Sequence, residues 1–369
     1  MTVHTRDALS QLPAYAPGRT VPGAVKLASN EMSYPPLPSV AAAISDAVAA
    51  GAAGINRYPD NAAVTLTAEL AAHLSRERLA VRPANVAVGC GSVALCQQLI
   101  QATCDDGDEV LFGWRSFEAY PIVTRVVGAR PVTVPVTAQH ALDLPALADA
   151  VTDATRLVFV CSPNNPTGTL VGAAELESFL DAVPESVLVV LDEAYREFVT
   201  DLSDPTVPDG TAAALARPNV VSLRTMSKAY GLAGLRVGYA VAQPEVISSL
   251  QKVALPFAVN SLAQIAAVAS LSAGEELAAR CAAVVAERER VTAALRKSGY
   301  EVPTSHANFV WLPLRERAAD FAAHCEQQKV IVRPFADATG GARVTIGAPE
   351  ENEQFLAAAR SWPGLPDAR

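Results

Sequence analysis

Lys228 stands in SLRTMSKAYGLAGLRVGY, with Thr225 and Ser227 just before it and Arg236 eight residues beyond. An amine among small hydroxyls and one guanidinium suits a nucleophile beside a phosphate site; taken alone, the same lysine reads equally as a solvated surface residue. The run VLVVLDEAY places Asp192 where an apolar strand ends, followed by Glu193 and Tyr195. A carboxylate there needs a cation or hydrogen-bond donors to stay buried, unless it only caps a helix. CSPNNPTG, at 161–168, directly follows the apolar run RLVFV. Pro-Asn-Asn-Pro is turn chemistry, and turns at the carboxyl ends of strands are where ligands sit in open α/β folds, so Asn165 offers its amide there.

A fourth segment, VAVGCGSVALCQQL, spaces Gly89, Gly91 and Ala94 as G-x-G-x-x-A between a strand and a helix. The N–H groups of Gly91, Ser92 and Val93 would face an anion, most naturally a phosphate. A dinucleotide would also need an acidic residue about 20 positions on, at the carboxyl end of the next strand. Glu109 has that distance but opens its strand, so the phosphate is kept and the nicotinamide dropped, with a bare tight turn as the other reading.

These segments must be held by a sheet. Short runs rich in Val, Ile and Leu occur at 85–88, 109–112, 130–136, 156–161, 187–191, 220–223 and 237–241, alternating with helical segments. Several lack period-2 alternation and so read as buried on both faces, which predicts an α/β fold with a large, mostly parallel central sheet. Residues 260–299 read as Ala-rich helix interrupted near 272–274, and NFVWL, VIVRPF and RVTIG as short strands with a helix at 318–328 between the first two. That predicts a smaller α+β unit. The Pro-rich start reads as an extended arm lying on something. The expected division is an arm with part of the small domain at 1–45, a large domain at 46–258 and a small C-terminal domain at 259–369.

Composition narrows the function. The chain has 369 residues, 50% hydrophobic and 18% charged, enough for a large core and roughly two domains. With 29 Lys+Arg against 38 Asp+Glu and no basic block, a nucleic-acid partner is not expected. Neither a signal-type apolar segment near MTVHTRDALSQLPAY nor a membrane-length apolar run is present, so a soluble cytoplasmic protein is expected. The six cysteines form no CxxC pair and read as reduced core thiols; the five scattered histidines make no ligand cluster, so no metal is expected.

The order SPNNPTG, an apolar strand ending in DEAY, then TxSK with Arg at +8, resembles the fold-type I pyridoxal-phosphate enzymes of the aspartate aminotransferase superfamily. Within it the chain looks like the histidinol-phosphate and aromatic aminotransferase branch, closest to the actinobacterial aromatic (phenylalanine) type. KLASNE at 26–31, NRYPD at 56–60, NFVWL at 308–312, IVRPF at 331–335 and RVTIG at 343–347 extend the match over nearly the whole chain.

The resemblance implies a role for each residue. Lys228 would form a Schiff base with pyridoxal 5'-phosphate and then shuttle the proton between Cα and C4′. Asp192 would pair with the pyridinium nitrogen; Asn165 and Tyr195 would bond the phenolic oxygen. Gly91, Ser92, Thr225, Ser227 and Arg236 would hold the phosphate, and Tyr58 would reach it from the other subunit of a homodimer. Phe117 would stack on the ring, a plain core aromatic being the competing reading. Arg343 would bind the substrate carboxylate, while Arg333 would serve a second anion or be only a strand-edge arginine; Tyr15, Asn30 and Tyr120 would lie on the substrate side. Trp114-Arg115, where histidinol-phosphate enzymes usually carry Pro-Thr, weakens that assignment, and the resemblance of GCGSVALCQQL, FGWRSFE and SNEMSYPPLP to the aromatic type implies amino transfer between phenylalanine, tyrosine or tryptophan and 2-oxoglutarate, with histidinol phosphate as the alternative substrate.

Overall fold

The computed structural model describes residues 18–51, 56–76 and 79–365, with isolated positions 3, 6 and 12. Tyr15, expected near the substrate, lies outside the described residues. A two-residue strand β1 (Val25–Lys26) opens the described chain. Each of the seven apolar runs then forms a strand: β2 (Val86–Gly89), β3 (Glu109–Trp114), β4 (Arg130–Pro135), β5 (Thr155–Cys161), β6 (Leu188–Asp192), β7 (Val220–Thr225) and β8 (Gly238–Val241). They build one sheet in the order β2-β8-β7-β6-β5-β3-β4. β8 is antiparallel to both its neighbours and the remaining pairs are parallel.

The missing alternation has the expected cause, since both faces of the sheet are covered. In β5, Leu157, Phe159 and Cys161 join one core with Leu95, Leu99 and Ile100 of helix Ser92–Thr103. Val158 and Val160 point the other way, to Leu176, Phe179 and Leu180 of helix Ala173–Ala182. Each buried side chain of this size contributes roughly 1.5–3 kcal/mol, so the sheet is a rigid platform.

Because β8 alone runs against the other six strands, Gly89, Trp114, Cys161, Asp192 and Thr225 all end at one edge of the sheet. Glu109 is at the opposite edge, where it is buried, pairs with Arg130 and accepts from the Thr152 and Thr155 hydroxyls. Its place there agrees with its exclusion as a ribose ligand.

The Ala-rich segment forms helices Ser261–Ser272 and Gly274–Lys297. The longer carries Glu275 and Glu276 in its first turn and Arg296 and Lys297 in its last, complementing the helix dipole. A second sheet follows, from β9 (Phe309–Leu312), with β10 (Val330–Ile331), β11 (Arg333–Phe335) and β12 (Gly341–Thr345) completing the strands. The order β11-β12-β9 is antiparallel, and β10 pairs in parallel with β1. One apolar core runs from Leu37 and Leu66 through Ala263 and Val291 to Phe309 and Phe355.

Candidate active site

The carboxyl edge of the large sheet faces β11 and β12 across a cavity of about 300 Å³. At one end Ser92, Val93, Thr225, Ser227 and Arg236 converge. Helix Ser92–Thr103 starts here, with Gly91 at φ 77 before it. The Gly91 carbon lies against the guanidinium: a Cβ there would sit 2.6 Å from Arg236 Nη2. Gly91 therefore shapes the turn from just behind the wall. The Ser227 Oγ accepts from Arg236 Nη1 at 3.4 Å. Unsatisfied helix N–H groups, two hydroxyls and a guanidinium make an anion cradle.

Lys228 and Asp192 line the middle. Lys228 Nζ donates to the Ser29 carbonyl at 3.2 Å, and its pKa is lowered to about 8 by burial and by Arg343, with Arg236 adding to the effect against Glu31. A half-buried amine near 8 is neutral much of the time at mildly alkaline pH, as a nucleophile requires. Asp192, at the tip of β6, accepts from Tyr120 Oη at 2.6 Å and from the Ala194 N–H at 3.2 Å. Burial raises its pKa to about 6, against the pull of those two donors.

Tyr120 lies elsewhere than the substrate side where it was expected. It is fully buried behind Asp192, stacked on Phe159 at 4.2 Å, and outside the cavity lining. Its phenol is pushed well above the ordinary value by burial, so it stays a donor. Phe117 does line the cavity, edge-on to Tyr120 at 5.5 Å.

The two asparagines of SPNNPTG divide the work. Asn164 is fully buried, accepting from Ser116 Oγ and donating to the Arg115 carbonyl and Thr167 Oγ1, and so fixes the turn. Asn165 lines the cavity and accepts from Arg343 Nη1 at 2.6 Å. Tyr195 lines it too and accepts from Asn30 Nδ2 at 2.9 Å; burial raises its phenol pKa, opposed by Arg343. Asn30 is thus engaged in orienting Tyr195, while its Oδ1 accepts from Thr345 Oγ1.

Arg333 and Arg343 close the far side. Arg343 also donates to the Ala28 carbonyl at 2.7 Å. Arg333 is paired with Glu118 at 3.0 Å. The sequence reading missed Glu118, although it directly follows Phe117, because nothing in a single chain shows which distant arginine will face it. Tyr58 is 81% exposed, stacked on Phe257 at 4.5 Å and away from this cavity.

The family described as aminotransferase class I and II matches residues 22–358. The chain belongs to that family. Aromatic amino acid aminotransferases of Mycobacteroides abscessus and Rhodococcus jostii are 58% and 59% identical, with 98% of this chain covered in each case and 100% and 96% of theirs. A histidinol-phosphate aminotransferase from Sinorhizobium meliloti, solved in complex with pyridoxal-5'-phosphate, superposes with a TM-score of 0.85 at 27% identity, covering 98% of this chain and 97% of that one.

Membership of this aminotransferase family implies pyridoxal phosphate, and the donor set fits it. The cradle of Ser92, Thr225, Ser227 and Arg236 suits the phosphate, the buried carboxylate of Asp192 suits a protonated ring nitrogen, and Lys228 supplies an amine between them. Among the described residues no group of His, Cys, Asp or Glu is arranged to hold a metal ion, and no helix is long and apolar enough to cross a membrane.

Proposed function

We propose that this aminotransferase moves the amino group between an aromatic amino acid and 2-oxoglutarate, with pyridoxal phosphate held at Lys228. The observation that carries the choice of substrate is the near-complete match to two proteins named aromatic amino acid aminotransferases at 58% and 59% identity. The cofactor, when bound, supplies an electron sink that lets the bond between Cα and its hydrogen break.

The chain's own residues do the rest. Ser92, Thr225, Ser227 and Arg236 anchor the phosphate, and Phe117 covers the ring. Asp192 keeps the proton on the ring nitrogen, which preserves the sink. Asn165 and Tyr195 bond the phenolic oxygen, and Arg343 orients the substrate by its carboxylate through a fork-like contact. The Lys228 amine takes the proton from Cα and delivers it to the other side of the transfer, a task for which a pKa near 8 is well matched.

A homodimer belongs to the same reading. The exposed, stacked pair Tyr58 and Phe257 offers an aromatic surface to a second copy, from which Tyr58 would reach the neighbouring phosphate.

Histidinol phosphate is the second reading, favoured by the fold match to the Sinorhizobium meliloti enzyme. The deciding experiment gives the loaded enzyme phenylalanine or histidinol phosphate with 2-oxoglutarate. A higher kcat/KM for phenylalanine is expected, and a higher value for the phosphate ester would overturn the choice.

A further inference from the structure

Strands β11 and β12 place Arg333 directly opposite Arg343, so two guanidinium groups stand side by side at one wall of the cavity. Opposed side chains in an antiparallel pair have their Cβ atoms about 4.5–5.5 Å apart, and like charges there repel. Arg343 donates to an amide oxygen and a backbone carbonyl, both neutral. Arg333 Nη2 donates to both oxygens of the Glu118 carboxylate, at 3.2 and 3.0 Å.

Glu118 comes from the other side of the cavity, just before helix Ala119–Val127 and next to Phe117. Its side chain is 29% exposed and that of Arg333 17%. The carboxylate therefore has a path into solvent, while the guanidinium, set over the Phe335 ring at 5.8 Å, is held in the wall.

We propose that Glu118 is a specificity-determining residue: an internal counter-ion that occupies Arg333 when the substrate has an apolar side chain and yields it when the substrate has a second anion. The inference rests on the proposed aromatic reaction, in which one cavity must accept a neutral ring in one half of the cycle and a distal carboxylate in the other. With Glu118 in place, a ring is bound beside a neutralised pair, avoiding the cost of an unpaired, partly buried cation. A distal carboxylate binds by exchanging with Glu118, so its gain is reduced by the ion pair it breaks. Glu118 thereby sets the balance against substrates that carry a strong distal anion, a phosphate ester included.

The test is calorimetric titration of the cofactor-loaded enzyme with two non-reacting acids, glutarate and 3-phenylpropanoate. In Glu118→Gln the ratio of glutarate to 3-phenylpropanoate affinity should rise at least about tenfold, the size expected for freeing one charge-assisted contact. In an Arg333→Gln background the same substitution should move the ratio by less than about twofold. Glu118→Asp, which draws the carboxylate back by one methylene, should shift the ratio the same way and serves if the glutamine variant does not fold. An unchanged ratio, or an equal gain without Arg333, overturns the proposal. If the unsubstituted enzyme neither binds 3-phenylpropanoate nor transaminates phenylalanine while Glu118→Gln still strengthens glutarate through Arg333, the aromatic reading fails and the counter-ion role stands.

Discussion

Asp192 and Glu193 are neighbours in the chain, both buried, at 3% and 4% exposure, and both at the end of the same strand. Their surroundings are opposite. Glu193 is saturated: Oε2 accepts from Ser222 Oγ at 2.6 Å and Arg224 Nε at 3.1 Å, and Oε1 from Arg196 Nη1 at 3.1 Å and the Gly210 N–H at 3.3 Å. Among the described residues Asp192 accepts from only two donors, a phenol and one backbone N–H, and it faces the cavity. The first is an internal brace with its charge cancelled by two arginines. The second has Lys228 as a nearby cation but burial outweighs its pull, so the charge is costly until something more strongly positive arrives.

Removing each carboxylate charge tests that contrast. Asp192→Asn should lower kcat by about 10²- to 10³-fold, the usual loss when an aligned electrostatic partner is removed. In the cofactor-free chain the same change should be stabilising. The folded pKa of Asp192 is raised from 3.8 to about 6, so ionisation is penalised above pH 6, and the penalty disappears as pH falls toward the unfolded value. A shift of this size is worth about 3 kcal/mol, so thermal melts should show the Asp192→Asn variant ahead of the unsubstituted chain at about pH 7–8 and level with it near pH 3. Equal melting temperatures across that range would break the comparison. Glu193→Gln should do the reverse, costing about 3–5 kcal/mol by removing the carboxylate that ion-pairs directly with Arg224 and Arg196; denaturant melts would check it.

Smaller changes sharpen the picture. Tyr120→Phe removes the shortest bond to Asp192. A hydrogen bond to a charged group contributes about 1.5–3 kcal/mol, so the Asp192 pKa should rise further and the acid limb of the kcat/KM profile should move up by about one to two pH units. Ser222→Ala deletes one of four donors to Glu193 and should cost about 1 kcal/mol, with no displacement of the pH profile. A profile that moves in Ser222→Ala but not in Tyr120→Phe would show that the roles of the two carboxylates have been exchanged.

What the sequence made legible follows from range. The seven sheet strands were visible because covering both faces requires unbroken apolar runs, and the break in the Ala-rich helix was marked by Ser272–Gly274. The cavity residues from SPNNPTG, DEAY and TxSK came from local spacing together with resemblance. The place of β8 between β7 and β2 had no local sign, since a strand reads the same in either direction. Tyr120 was misplaced for a related reason: its ring belongs to the sheet core and its hydroxyl to Asp192, a partner 72 residues away. The Glu118–Arg333 pair spans 215 residues and was hidden in the same way.

The reversed strand also has a consequence for how the molecule is made. Among the described residues β2 is joined to the sheet only through β8, with Gly89 registered on Gly238, a closure of about 150 residues. During synthesis on the ribosome β2 therefore emerges early and waits with an open edge until about two fifths of the polypeptide has followed it. The turn at Gly91 meets Arg236 only when that gap closes, so competence to take up the cofactor arrives late in biogenesis, and a prematurely terminated chain would expose a sticky edge in place of a partial enzyme.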